Sequence, residues 1–326
     1  MKVCVTGATG HIGINVCMEL LGRGHTVTAL VPNSWKPIDD LPVAIVKGNV
    51  LDGDSLRILM KGSEAVMHLA GIIGLGYKFD QTVFDVNVTG TKNVLDVSRE
   101  LGMKKVVHFS SIHVFEQQPQ DIPMDESRSF VTNERSVFYD QTKRDGHLMA
   151  QQAAGEGLDV SIVCPTGVLG PYDYRPSRLG KAVIDIYEGF VPTAVKGGFD
   201  FVDVRDVASG AVSALEKGKK GETYILGGKY YSIKELGDMI LKVRDSEKEL
   251  GEIPLSLAYV GLPFVNFYAW ITGKQPLYNK VYLDVLKSGN KKVLSSKAEK
   301  ELGYTSRNME ITVRDTLNWF RNHKMI

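Results

Sequence analysis

The sequence predicts an α/β protein in which a doubly wound parallel sheet is joined to a smaller, interleaved C-terminal lobe. Three observations carry this prediction. Short β-branched runs alternate with longer amphipathic runs as far as Pro165, which is the pattern of βα units on a parallel sheet. A glycine-rich segment joins the first of these strands to the first helix. After Pro165 glycines and prolines interrupt a less periodic chain, which indicates a separate lobe.

The elements of the predicted sheet follow one another in chain order. The strand candidates are the β-branched runs Lys2–Thr6, Thr26–Val31, Val43–Lys47, Ala65–Leu69, Lys104–Ser110 and Asp159–Cys164. The helix candidates between them are the amphipathic runs Ile12–Arg23, Ser55–Lys61, Gln81–Leu101 and Arg135–Gly155. In Gln81–Leu101 the apolar residues recur with roughly helical spacing, so one face of this helix can pack on the sheet.

The chain is expected to return to the first domain before it leaves again. Phe201–Val204 and Glu222–Leu226 are predicted strands that flank a helix near Val207–Lys217. The lobe then contains a helix near Ile233–Val243, the uncharged stretch Ile253–Gly273 and a final helix ending in Trp319-Phe320. We therefore predict two units, a domain of residues 1–170 with 201–228 and a lobe of residues 171–200 with 229–326.

The composition excludes several classes of partner. The 326 residues carry 39 basic and 38 acidic side chains, so the strongly basic surface of a nucleic-acid-binding protein is missing. The three cysteines stand far apart in apolar runs, which favours neither a disulfide framework nor a metal site. Pro254, Gly261 and Pro263 interrupt the uncharged stretch and weaken a transmembrane interpretation. We expect a cytoplasmic protein with a small-molecule partner and no nucleic acid, membrane or metal.

The strongest local signal is the glycine motif between the first strand and the first helix. Glycines at this spacing let the backbone turn tightly, approach a pyrophosphate and pack the helix closely, while free N–H groups attract the anion. A tight turn without a ligand is the alternative for such a motif alone. Because strand and helix flank it, we predict a Rossmann-type dinucleotide-binding domain whose cofactor contacts are Gly7, Thr9, Gly10, His11, Ile12 and Gly13.

The end of the second predicted strand bears on the choice between NAD and NADP. Proteins that prefer NAD usually place a carboxylate there to bind the ribose 2′-hydroxyl. The segment after Val31 has no carboxylate before Asp39. Asn33 and Ser34 can donate hydrogen bonds to a 2′-phosphate, and Lys36 can supply a positive charge, although a solvated loop lysine is the alternative. We predict NADP in preference to NAD.

A tyrosine and a lysine are spaced to act together. Tyr139 and Lys143 lie four residues apart on a predicted helix and share a face, and the ammonium is expected to lower the tyrosine pKa. Ser110 and Ser111 follow a strand at the carboxyl edge, where a hydroxyl can bind a substrate carbonyl or merely cap the strand. Together these residues predict hydride exchange between a nicotinamide and a carbon that bears a hydroxyl or carbonyl.

These motifs belong to an ordered series that runs over most of the chain. Its members are Gly7–Gly13, Gly48–Asp52, His68–Gly71, Asn87–Thr91, Ser110-Ser111, Tyr139 with Lys143, Pro165–Pro171, Phe201–Ala208 and Lys297–Tyr304. The series resembles the extended short-chain dehydrogenases/reductases, the family of NAD-dependent epimerases and dehydratases. Val163–Thr166 lacks the asparagine that is common in sugar-nucleotide epimerases, and this stretch and Ile271–Leu277 are more similar to the dihydroflavonol-reductase-like branch.

The resemblance implies roles for matching residues. Tyr139 would donate or accept the proton, Lys143 would also hold the nicotinamide ribose, and Ser111 would orient the substrate oxygen. Asn87 would be structural or part of a proton relay. The remaining implied cofactor contacts are Asn49 and Val50 at the adenine, Leu69 and Ala70 along the pyrophosphate and ribose, and Pro165 near the nicotinamide. The helices Gln81–Leu101 and Arg135–Gly155 would form a homodimer as a four-helix bundle.

The predicted function is a cytoplasmic oxidoreductase that uses NADP, or NAD, to reduce a small carbonyl compound or oxidise the alcohol. Phe264, Phe267, Tyr268 and Trp270 suit an apolar or aromatic substrate, unless they simply form the core of the lobe. Two alternatives are open. One is an NAD-dependent sugar-nucleotide epimerase or dehydratase, in which the hydride leaves and returns within one turnover. The other is a noncatalytic NADP-sensing protein on the same fold.

Overall fold

Seven parallel strands form the central sheet of the protein. The computed structural model describes residues 1–33, 35–74, 76–132, 136–272 and 278–326. Numbered along the chain, the strands of this sheet are β1 Lys2–Thr6, β2 Thr26–Val31, β3 Ala44–Lys47, β4 Ala65–His68, β5 Lys105–Phe109, β6 Val160–Pro165 and β10 Thr223–Leu226. Their order across the sheet is β3-β2-β1-β4-β5-β6-β10, so the order reverses between β1 and β4. Ligands of such sheets bind at the carboxyl ends of the strands beside this reversal.

Helices cover both faces of the sheet because side chains alternate along each strand. Val3 and Val5 of β1 lie in the core on one side, and Cys4 lies in the core on the other. The helices of the first side are α1 His11–Gly22, α8 Val204–Lys217 and α12 Ser296–Leu302. Those of the second side are α3 Gly53–Met60, α5 Gly90–Glu100 and α6 Phe138–Gly155. Both faces are buried, so the strands are nearly continuous apolar runs.

The predicted long helices differ from the observed ones in detail. Gln81–Leu101 consists of α4 Gln81–Phe84, a π-helical turn Asp85–Thr89 and then α5, without a gap. The predicted helix Arg135–Gly155 begins at Phe138, and Arg135 lies outside the described residues. Helix α8 begins at Val204, which the sequence assigned to a strand, because the Asp203 carboxylate accepts a hydrogen bond from the Arg205 N–H at 2.8 Å.

The described part of the chain also contains two small sheets and six further helices. One sheet contains β7 Gly167–Leu169, β9 Gly198–Asp203 and β11 Lys229–Ser232, and the other pairs β8 Thr193–Val195 with β12 Gly251–Ile253. The helices are α7 Arg178–Tyr187, α9 Ile233–Val243, α10 Leu255–Thr272, α11 Lys280–Ser288 and α13 Met309–Asn322, and a short α2 spans Lys36–Asp39. None of the described helices is long and apolar enough to cross a membrane.

The chain leaves the large sheet after β6 and returns to it at β10. The strand predicted at Phe201–Val204 corresponds to β9, which pairs with β7 and β11 and is not part of the seven-stranded sheet. Glu222–Leu226 corresponds to β10, which pairs in parallel with β6 at the edge of that sheet. The fold class is therefore confirmed, while the residue boundaries of the two predicted units stay a prediction.

Candidate functional site

The three glycines of the motif have different surroundings. Gly7 has a φ of +74°, and a Cβ there would lie 2.6 Å from the Ala70 nitrogen. A Cβ at Gly13 would lie 2.1 Å from the carbonyl oxygen of Gly7. At Gly10 the nearest atom to a Cβ would be 3.4 Å away, and this residue is exposed. Gly7 and Gly13 therefore close the loop against its neighbours, whereas Gly10 leaves an open face for a ligand.

The start of α1 is suited to bind an anion. Gly10 caps this helix without a side-chain hydrogen bond, and the first turn contains no acidic residue. The N–H groups of His11, Ile12 and Gly13 have no helical acceptor, so they and the helix dipole favour a negative group. The His11 imidazole hydrogen-bonds the carbonyl oxygen of Pro171 at 3.1 Å, which leaves the backbone of His11 for a ligand. The loop thus fits the pyrophosphate of a dinucleotide.

The other residues predicted to bind a cofactor follow the carboxyl ends of their strands. Asn33 and Lys36 are exposed after β2, and Ser34 lies outside the described residues. Asn49, Val50, Leu69, Ala70 and Pro165 stand at or just beyond the ends of β3, β4 and β6. The Asn49 side chain accepts a hydrogen bond from the Leu51 N–H at 2.8 Å, so it shapes its own loop. Cofactor contact by these residues stays a prediction.

Ser111, Tyr139 and Lys143 come together beside the end of β5. Ser111 is buried two residues beyond this strand; its hydroxyl accepts a hydrogen bond from the His113 N–H at 3.2 Å and lies close enough to the Tyr139 phenol to lower the pKa of that residue. Tyr139 and Lys143 lie one turn apart on α6. The Lys143 ammonium donates a hydrogen bond to the Phe109 carbonyl at 2.5 Å, which fixes it at the carboxyl edge of the sheet. The structure thus unites the three residues that the sequence singled out.

The ionisation of this group differs from the sequence expectation. Burial, and then the charge of Asp140, raise the pKa of Tyr139 to about 12, although the nearby Ser111 hydroxyl acts in the opposite direction. Burial lowers the pKa of the Lys143 ammonium to about 8. The expected lowering of the tyrosine pKa by Lys143 is therefore wrong: desolvation is the largest cause of the shift, and Lys143 is not among the groups that change this pKa. Tyr139 is a protonated phenol at neutral pH, which suits a proton donor.

Asn87 connects this site to the loop that follows β4. It lies in the π-helical turn, and its side-chain amide accepts from the Ile72 N–H at 2.8 Å and donates to the Ile72 carbonyl at 3.0 Å. The same amide donates to the Thr142 hydroxyl of α6 at 3.0 Å. Turns of this kind are frequent at functional sites. These hydrogen bonds allow Asn87 to position the β4 loop against α6, and its part in a proton relay stays a prediction.

Sequence reasoning did not find a buried polar chain behind Asn87. The His68 ring bonds the Thr6 hydroxyl at 2.7 Å and the Thr91 hydroxyl at 3.0 Å, and Thr91 donates to the Asn87 carbonyl at 2.7 Å. Burial lowers the pKa of His68 to about 3, so the ring is neutral. This series of hydrogen bonds links the end of β1, through Asn87, to α6, the helix that carries Tyr139. Only the fold brings these residues together, and no local motif marks the connection.

Sequence reasoning also missed a link between the β4 loop and the C-terminal part of the chain. Asp284 of α11 accepts hydrogen bonds from the Tyr77 hydroxyl at 2.6 Å and the Tyr259 hydroxyl at 2.5 Å. The Phe138 N–H donates to the Gly76 carbonyl at 2.9 Å, so the same loop lies against the first turn of α6. Helices α10 and α6 therefore both border the loop that follows β4.

The comparisons with known proteins agree with this geometry. Residues 3–227 match the NAD dependent epimerase/dehydratase family. Sterol demethylase protein B of Methylococcus capsulatus is 32% identical over 332 residues, covering 100% of both chains. A putative dihydroflavonol 4-reductase of Synechocystis sp. is 30% identical over 331 residues, covering 98% of this chain and 94% of that protein. The crystal structure of gox2253 has a TM-score of 0.85 at 30% identity, covering 99% of this chain and 98% of that one.

The fold and the carboxyl-edge site define a nicotinamide-dependent oxidoreductase with a Rossmann-type sheet. The chain belongs to the NAD dependent epimerase/dehydratase family, and it is an enzyme of that family. The dTDP-glucose 4,6-dehydratase of Bacillus anthracis, solved in complex with NAD, shares the fold with a TM-score of 0.77 at 19% identity, covering 100% of this chain and 98% of that one. The predicted family, and the similarity to a dihydroflavonol-reductase-like branch, are confirmed.

Proposed function

We propose that this enzyme reduces a small carbonyl compound, or oxidises the corresponding alcohol, with NADP(H) as its preferred cofactor. The observation that carries the proposal is the proximity of the Ser111 hydroxyl to the Tyr139 phenol at the end of β5, with Lys143 one turn along the same helix and held to the Phe109 carbonyl of β5. A hydroxyl that can bind a carbonyl oxygen, a protonated phenol and a buried cation are the groups that a carbonyl reduction requires.

The proposed mechanism assigns one task to each of these residues. The cofactor, when bound, supplies the hydride for the carbonyl carbon. The Ser111 hydroxyl donates a hydrogen bond to the carbonyl oxygen and orients it, while the Tyr139 phenol donates the proton that this oxygen needs as it becomes an alcohol. The Lys143 ammonium stabilises the phenolate that remains and would hold the ribose hydroxyls. In alcohol oxidation the deprotonated Tyr139 accepts the proton of the alcohol. Because its high pKa keeps Tyr139 protonated at neutral pH, the residue is better suited to the reduction.

An apolar substrate fits the surface around this group. Ile73 and Phe79 in the β4 loop are 59% and 62% exposed, although large apolar side chains usually avoid water. Phe264 and Trp270 of α10 are 73% and 79% exposed, and α10 borders the same loop through Asp284. Exposure of this extent speaks against the alternative that these aromatic residues only form a lobe core. The Tyr268 side chain lies outside the described residues.

The names of the relatives support a reductase that acts on an apolar molecule. Besides the putative dihydroflavonol 4-reductase, a ketoreductase of Stigmatella aurantiaca is 26% identical over 94% of this chain. A sterol demethylase protein and a 3-beta-hydroxysteroid dehydrogenase are also among the relatives. We further propose a cytoplasmic homodimer that forms through α5 and α6. The preference for NADP rests on the absence of a carboxylate between Val31 and Asp39.

The test is a panel of apolar and polar carbonyl compounds, assayed in parallel for oxidation of NADPH and NADH. We expect net consumption of NADPH with apolar ketones or aldehydes and slower reaction with NADH. Nucleotide sugars are included, because their isomerisation without net consumption of reduced cofactor would instead establish an epimerase or dehydratase. Binding of NADP(H) without turnover of any compound would support a sensing protein.

Tyr139→Phe tests the assigned proton donor. This variant should lower kcat by about 10²- to 10⁴-fold, because the phenol hydroxyl is removed while the ring still fills its site. Affinity for NADPH should change little. Phe138→Tyr in the natural background is a control for altered packing at the same helix turn. Turnover near the natural rate in Tyr139→Phe would contradict the assignment.

A further inference from the structure

Arg175 lies at the end of β2, although it belongs to the loop between β7 and α7. Its guanidinium carbon is 5.4 Å from the centroid of the Trp35 ring, and Trp35 is the residue that precedes α2. Tyr174 packs edge-on against the same indole, with the ring centroids 5.5 Å apart. Among the described residues no carboxylate pairs with this guanidinium. The fold therefore brings an arginine close to the segment after β2, which has no arginine of its own.

The loop that carries Arg175 is fixed on both sides. The carbonyl of Pro171 is hydrogen-bonded by His11, in the first turn of α1, at 3.1 Å. Tyr174 packs edge-on against Trp319 of α13, with the ring centroids 4.9 Å apart. These contacts hold the loop between the glycine motif and the C-terminal helix. The position of the exposed Arg175 side chain thus follows from the packing of the buried and half-buried residues of its loop.

The contact with Trp35 leaves Arg175 able to bind a phosphate. A guanidinium that stacks on an aromatic ring uses its face, while its N–H donors point outward in its plane, where they can form paired hydrogen bonds to phosphate oxygens. In Rossmann-type domains the end of β2 adjoins the ribose 2′ position of the adenosine. Pro32, Asn33 and Lys36 place no carboxylate there to repel a phosphate.

We propose that Arg175 binds the 2′-phosphate of NADP(H) and is a main determinant of the cofactor preference. This inference rests on the proposed use of NADP(H) and deepens it. The 2′-phosphate would then be held from two parts of the chain, by Lys36 after β2 and by Arg175 beyond β7. A ligand with this phosphate ties the loop after β7 to the dinucleotide-binding strands, whereas a ligand without it does not.

The test uses binding of adenosine 2′,5′-bisphosphate and adenosine 5′-diphosphate to the full chain, measured by calorimetry. Arg175→Met keeps an apolar stem against Trp35 and removes the charge. We expect it to weaken binding of the 2′,5′-bisphosphate by about 10- to 100-fold, the usual value of a charged hydrogen bond, and to change binding of the 5′-diphosphate less than about 2-fold. Lys181→Met, which removes an exposed charge from α7, is the matched control and should change neither.

Each remaining outcome has a distinct meaning. If the natural protein binds the two ligands equally, the proposed NADP preference fails and the inference on Arg175 fails with it. If the natural protein prefers the 2′,5′-bisphosphate and Arg175→Met keeps that preference, NADP use stands and the role of Arg175 is overturned. If Arg175→Met weakens the binding of both ligands equally, the inference is also overturned, because Arg175 would then bind the 5′-phosphates or support Trp35.

Discussion

Replacing Asp140 with asparagine removes a charge that is buried beside the proposed proton donor. Asp140 is 9% exposed, and burial raises the pKa of its carboxyl from the ordinary 3.8 to about 6, an effect that nearby His113 reduces. At about 1.4 kcal/mol per pKa unit, this difference corresponds to about 3 kcal/mol of destabilisation by the charged carboxylate. Because the folded protein binds this proton more tightly, the free energy of unfolding falls as the pH rises from about 4 to about 6.

Asp140→Asn is uncharged at every pH, so its advantage should depend on pH. It should match the natural protein below about pH 4 and exceed it by up to about 3 kcal/mol above about pH 6, which for 326 residues raises Tm by about 4 °C. Thermal unfolding of both proteins at the two pH values measures this difference. Asp121→Asn, at an exposed position, is the control. An equal gain at both pH values would refute the reasoning.

The same variant should also change catalysis. The negative charge of Asp140 raises the pKa of Tyr139, so its removal lowers that pKa. Alcohol oxidation needs Tyr139 as a base, and its rate in Asp140→Asn should therefore rise at lower pH than in the natural enzyme. The pH profile of kcat in this direction measures the shift. An unchanged profile would mean that the phenol does not limit the rate.

Three further predictions follow from the same geometry. Gly13→Ala should lower the free energy of unfolding by about 1–3 kcal/mol, since its Cβ would lie 2.1 Å from a carbonyl oxygen, while Gly10→Ala should mainly weaken cofactor binding. Thermal unfolding measures the first effect and NADPH titration the second. Equal losses of stability and of NADPH affinity in the two variants would contradict the prediction. Asp284→Ala should lower stability by about 1–2 kcal/mol in urea unfolding, because two tyrosine hydroxyls lose a charged acceptor. Sedimentation equilibrium should give the mass of two chains, and a monomer would exclude the proposed dimer.

The large sheet was predictable because its elements carry local signals. Its strands, apart from the largely exposed edge strand β3, are apolar runs buried on both faces, and the spacing of apolar residues marks the helices between them. The small sheets carry no comparable signal. β7 and β12 are three residues each, and β9 pairs with partners from both sides of it in sequence. Their pairing depends on tertiary packing, so the sequence predicted a strand at Phe201–Val204 without indicating that it pairs outside the large sheet.

The residues of the candidate site were likewise predictable only where a local pattern marks them. Ser111, Tyr139 and Lys143 were predicted from a strand end and a helical spacing, both of which are local. The pKa of Tyr139 was not predicted correctly, because it depends on burial and on the position of Asp140 in the fold. Arg175 is remote in sequence from the strand end that it reaches, and the contacts of its loop with His11 and Trp319 bring it there. Residues that act through contacts across the fold leave no pattern in the sequence.

The late return of the chain to β10 bears on how the protein is made. All six residues of β6 are buried in the finished sheet, and β10 pairs along its outer edge. On the ribosome, β6 emerges well before Thr223–Leu226, so the nascent chain carries an apolar strand whose edge has no partner. Such edges recruit other strands and promote aggregation. The seven-stranded sheet can therefore be completed only after the intervening segment has been synthesised, and chains that stop before β10 leave the edge of β6 uncovered.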